Sequence, residues 1–155
     1  MKKNLFDVAA KDELIKRALQ LTAYSQPAWG SMTPVEMLRH CSEAIQATLK
    51  PRPFDTPATL RQKVAKFIMI YVFPRLPKGA KAPKYIDMKL QPFTLETFEN
   101  ELKNFNKSLE TFSSYKEPIL NKHPYFGTMK NKEWGIVTWM HMDHHLRQFR
   151  VYGKK

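Results

Sequence analysis

Along the chain, apolar positions recur at helical spacing, and no sustained alternation of strand type occurs. The cleanest stretch begins near Thr94, where Leu95, Phe98, Leu102, Phe105, Leu109 and Phe112 follow at intervals of three, four, three, four and three. That rhythm lays a coiled-coil type of apolar seam along one helix face, and such a seam needs facing helices to cover it. Four more segments read as helix. The first runs from about Ala10 to Ala23 on Leu14, Ala18 and Leu21; Ser25-Gln26-Pro27-Ala28 stops it, and a connector begins there. The second opens on Thr33-Pro34-Val35-Glu36, a capping box with proline at the first helical position. It continues to about Leu49, before Pro51 and Pro53. The third spans about Pro57 to Val72 and stops at Pro74; the fifth spans about Asn131 to Tyr152. The pattern predicts an all-α fold: an up-down four-helix bundle with an additional short helix and a long basic crossover loop.

Composition narrows this picture. A chain of 155 residues suits one domain, 1–155, with a sizeable core, and its apolar content argues against disorder. The longest apolar run, Phe67 to Phe73, falls far short of the roughly 20 residues a membrane-spanning helix needs. The segment Met1 to Asp7 has an early acid and no long apolar core, so it is not expected to act as a signal peptide. A lone cysteine, Cys41, gives no internal disulfide and fits a reducing compartment, so the expected location is cytoplasmic.

The net charge of +12 changes the picture again. Such a balance attracts nucleic acid, anionic membranes or anionic small molecules. Between Pro74 and Pro92, Arg75, Lys78, Lys81, Lys84 and Lys89 face only Asp87, and Pro77, Gly79 and Pro83 make the segment a loop. A basic loop beside an active site favours an anionic small-molecule substrate. No recognised reading motif accompanies the charge, so nucleic acid is not expected to be the main partner.

The chemistry concentrates in His141-Met142-Asp143-His144-His145. On a helix, His141 and His145 lie about one turn apart on one face, where two imidazoles can grip one divalent cation. His40 supplies a third candidate from the second helix, with Met37 and Ala44 on its own face turning it inward. A lone inward histidine is more often a core residue than a ligand; the pair on the last helix shifts that balance. His144, three residues from His141, competes with His145, and spacing alone does not choose between them. Asp143 points away from the pair, Cys41 is turned about 100° from His40 and reads as a packed thiol, and Glu36 is accounted for by capping. Three neutral imidazoles leave coordination positions open, the pattern of a reactive site, and suit Zn, Ni, Fe or Co.

These residues resemble the DinB/YfiT-like superfamily of metal-binding four-helix bundles and, within it, domain-of-unknown-function family 1569. The resemblance rests on Trp29-Gly30-Ser31-Met32-Thr33 leading to His40-Cys41, on His123-Pro124-Tyr125-Phe126-Gly127, and on Glu133-Trp134-Gly135 leading to His141 through Phe149. It implies a metal held by His40, His141 and His145, which decides against His144 as ligand. It also implies a metal-dependent transferase that uses a low-molecular-weight thiol, or a hydrolase, acting on a small molecule. His123 and His144 become candidates for proton transfer or for support of the ligands; the plainer readings are a turn-stabilising and a packed histidine. Some relatives are dimers, so the resemblance implies a homodimer as well. Two other readings stay open: a non-catalytic helical module that binds nucleic acid or another polyanion, and a metal site with only a structural role. The segment Pro74 to Pro92 matches none of these motifs.

Overall fold

In the computed structural model, residues 2–50, 57–78 and 95–153 are described. Among them are five α-helices and one two-stranded hairpin: α1 Val8–Ala18, α2 Pro34–Leu49, α3 Leu60–Phe67, α4 Leu95–Ser114, β1 Lys122–His123, β2 Gly127–Thr128 and α5 Asn131–Gln148. A π-helical turn, Ile68–Val72, continues α3.

α2 follows its sequence signals closely. The Thr33 hydroxyl accepts the Glu36 N–H while the Glu36 carboxylate accepts the Thr33 N–H at 2.7 Å, with Pro34 opening the helix. At its other end the Asn121 side-chain amide lies 2.6–2.7 Å from the carbonyls of Ala47, Thr48 and Lys50. Those carbonyls would otherwise lack intrahelical partners.

Helix ends account for the departures from the sequence reading. α1 stops at Ala18 rather than Ala23, because Gln20 and Leu21 turn back to bond the Arg17 and Ala18 carbonyls. Leu21 and Ala23 are still buried, so their apolar spacing continues after the helix has ended. α3 begins at Leu60 rather than Pro57, since Thr59 caps it, and its last turn widens to π geometry before Pro74. α5 ends at Gln148 rather than Tyr152. There Arg150 takes φ 61°, Val151 N–H reaches the Leu146 carbonyl and Arg150 N–H that of Arg147. This is a Schellman closure with arginine in the left-handed position that glycine normally fills. The predicted basic crossover, Pro74 to Pro92, lies outside the described residues beyond Lys78.

Helix α2 packs on α4 and α5, and α1 packs on the same two. The α4 seam is buried as its spacing requires, with Phe98, Phe105, Leu109 and Phe112 in the core against Leu14, Met37, Leu38, Ile45, Met142 and Leu146. The segment before α1 crosses α5 where Leu5 N–H bonds the Gly135 carbonyl. A Cβ on Gly135 would stand 2.0 Å from Asn4 Oδ1, so this close crossing requires glycine.

Candidate metal centre

Helices α2 and α5 carry the site. One turn of α5 separates His141 from His145, and α2 brings His40 against both. His40 Nε2 lies 3.2 Å from His141 Nε2, and His141 Nε2 lies 2.9 Å from His145 Nε2. Each ring offers a nitrogen within 4.8 Å of the others, so the three form a group able to hold a metal ion. Ligands around a tetrahedral zinc at 2.0–2.1 Å stand about 3.3 Å apart. The spacing therefore fits one cation seated among the three rings.

The tautomer of His145 follows from its neighbours. Gln148 Nε2 donates to the Trp29 carbonyl at 3.3 Å, which leaves Gln148 Oε1 as an acceptor 2.6 Å from His145 Nδ1. His145 thus donates from Nδ1 and presents the lone pair of Nε2 to the centre, the usual orienting device for a histidine ligand. Gly30 makes the arrangement possible: its φ is +79°, and a Cβ there would sit 2.8 Å from Gln148 Nε2. Ala28 N–H adds a bond to the Gln148 carbonyl at 2.6 Å. The Trp29-Gly30 motif therefore steadies the residue that steadies His145.

Burial also keeps the rings neutral. It lowers His40, and it pushes His145 down to about 3, with the nearby His40 adding to the effect. His141 falls well below the usual histidine range, first through burial and then through the charges of His145 and His40. Neutral imidazoles are what a divalent cation binds.

The surrounding candidates separate cleanly. His144 is turned out of the group: its ring is bonded to the Leu76 backbone and meets Trp29 edge-on at 6.0 Å, and its buried Nδ1 has no hydrogen-bond partner. His123 stands in the β1–β2 hairpin, stacked on Phe126 at 4.3 Å with Trp134 at 5.6 Å. The Tyr125 N–H donates to His123 Nδ1 at 3.2 Å, so the ring carries its proton on Nε2, and burial lowers it to about 4. Cys41 is fully buried against Met37 and its thiol is pushed far up, as expected of a packed thiol. Glu36 serves the capping box.

Sequence spacing left three things unseen. Asp143, correctly placed off the ligand face, is buried in an ion pair with Arg17 at 2.9 Å, and Arg17 also donates to the Val151 carbonyl. Gln148 was visible only as part of a motif. The described start of the basic segment also lies beside the histidines: Leu76 meets His144, and the Lys78 ammonium sits 4.5 Å from the centre of the Trp29 ring. Of the other tryptophans, Trp134 is buried, while Trp139 donates to the Ala10 carbonyl.

Neither the curated proteins nor the solved structures give a match to this chain. The sequence profile described as "Protein of unknown function (DUF1569)" matches residues 2–151, and the chain therefore belongs to that family.

Proposed function

We infer that His40, His141 and His145 bind one divalent cation, and that the protein is a metal-dependent transferase or hydrolase acting on a small molecule. The observation that carries this reading is the convergence of three neutral imidazoles, one with its tautomer fixed by Gln148. A buried cluster of facing lone pairs gains nothing for a fold unless a cation or proton is shared among them. When bound, the metal lowers the pKa of a coordinated water or low-molecular-weight thiol and so supplies a nucleophile near neutral pH.

The chain's own residues then divide the work. His123, with its proton on Nε2, offers a hydrogen-bond donor on the hairpin, beside Trp134 of α5. His144 offers a free Nδ1 lone pair, its ring centred 5.2 Å from that of His145. Lys78 over Trp29 brings positive charge to the same side and favours an anionic substrate. The mutual packing of α1, α2, α4 and α5 supports an up-down four-helix bundle and, with the ligand spacing, placement beside the DinB/YfiT-like proteins.

Elemental analysis of the purified protein tests the ligand set. About one zinc, nickel, iron or cobalt ion per chain is expected in the wild type and in His144→Ala, with loss in His40→Ala and His145→Ala. Full occupancy in His40→Ala, or no uptake by the wild type after reconstitution, overturns the reading.

A further inference from the structure

Helix α3 and its π turn dock through Ala65, Met69 and Ile70 and through polar side chains, yet a second apolar face points outward. Its inward side carries Gln62, which donates to the Pro124 carbonyl at 3.1 Å, and Lys66, which reaches the Thr128 carbonyl and the Glu133 carboxylate, each at 3.1 Å. Lys2 ties down the π-helical turn through the carbonyls of Met69 and Phe73. The outward side is apolar. Leu60, Val64, Phe67 and Tyr71, spaced four, three and four, share one helical face and are 77%, 50%, 59% and 65% exposed. Ile68, Val72 and Phe73 extend the patch, and the Phe67 and Tyr71 rings lie against each other with centroids 5.1 Å apart.

Charge brackets this stripe. Arg61 and Lys63, both exposed, flank it on either side, and Arg75 follows. Residues 57–78 contain no aspartate or glutamate. An exposed apolar face bordered by cations on long side chains matches the layout of a helix lying in a lipid interface, with its apolar face among acyl chains and its cations at the headgroups. Each cation near an anionic surface contributes attraction. A second copy of the chain is a poorer occupant, because it would set one acid-free basic border against another.

We propose that α3 and its π-helical extension form a peripheral docking face for an anionic lipid surface. The face includes none of the three histidines, and its binding does not require the metal.

Co-sedimentation of the full chain with vesicles tests it, using phosphatidylcholine alone and an equimolar mixture with phosphatidylserine. Binding to the anionic vesicles is expected to weaken as salt rises. Because a chain of +12 has some attraction to any anionic surface, the deciding variant preserves charge. Val64→Ser/Phe67→Ser should lower partitioning by about tenfold or more at constant salt. Tyr24→Ser, an equally exposed aromatic outside the face, should leave it unchanged. Unaltered melting of each variant shows that the fold is retained. Absent binding, or binding indifferent to the double variant, overturns the proposal. A concentration-dependent dimer abolished by the double variant, without vesicle binding, overturns it too and assigns the face to a second copy.

Discussion

Replacing Gln148 by leucine probes the centre without touching a proposed ligand. In the wild type the buried Nδ1–H of His145 has one acceptor, Gln148 Oε1 at 2.6 Å. Leucine is close in volume and leaves that N–H unpaired, which costs about 1–3 kcal/mol for a buried donor. The ring is then free to rotate or to move its proton to Nε2, where it blocks coordination. Loss of a hydrogen bond that orients a metal-bound histidine typically lowers affinity about 10–100-fold. At 1.4 kcal/mol per factor of ten, that is about 1.4–2.8 kcal/mol, which agrees with the cost of the orphaned donor. Competition against a chromophoric chelator at neutral pH reads the affinity directly. Gln148→Glu separates this contact from its neighbour, since it keeps an acceptor for His145 but loses the donor to the Trp29 carbonyl. Gln148→Glu should recover most of the affinity. A folded Gln148→Leu protein that binds metal like the wild type would refute the orienting role, as would equal losses in the two variants.

Two further outcomes follow from buried charge. Asp143→Ala leaves the Arg17 guanidinium without its closest acidic partner, Glu13 remaining 3.6 Å away, and should cost about 3 kcal/mol in urea unfolding while metal stoichiometry is unchanged. Arg17→Met/Asp143→Leu should regain part of that loss, and a single variant as stable as the wild type would contradict the ion pair's role. His123 titrates near 4 in the fold against an ordinary value of 6.5, so the unfolded chain takes up its proton first as pH falls. Its contribution is therefore complete above about 6.5, declines through the interval down to about 4, and is gone below that. In metal-free protein, His123→Phe should flatten the fall of the urea midpoint across this window, and an unchanged slope would contradict the assignment.

The parts of the fold legible in the sequence were those set by local chemistry. The α4 seam and the Thr33-Pro34-Glu36 box each depend on residues within a turn or two of one another, so pattern and structure coincide. Helix ends decided by tertiary bonds were not legible. Leu21 and Ala23 keep an apolar rhythm because the core needs them, although the backbone has already turned. Likewise Arg150 occupies a left-handed position that no residue preference would assign to arginine. At the centre, the one-turn spacing of His141 and His145 was visible, but the exclusion of His144 depends on Trp29 and Leu76, far away in sequence. Gln148, although one turn from His145, and Arg17 were hidden for the same reason: the bonds that orient them run to Trp29 and Asp143, more than a hundred residues away.

The distances among the three histidines also depend on features at both ends of α2. A shift of α2 by one residue along its axis would carry His40 about 1.5 Å and turn it by about 100°, enough to remove it from the group. At the start of α2 the capping box fixes where the helix begins, five residues after Trp29, whose carbonyl is held by Gln148 of α5. At its end, Asn121 grips three carbonyls from just before the hairpin that carries His123. Register between α2 and α5 is thus imposed from both directions, by the same side chains that orient His145 and place His123. Removing Asn121 or Gly30 should loosen the centre although neither approaches a ligand, because the 3.2 Å separation of His40 and His141 is a property of how the helices are pinned.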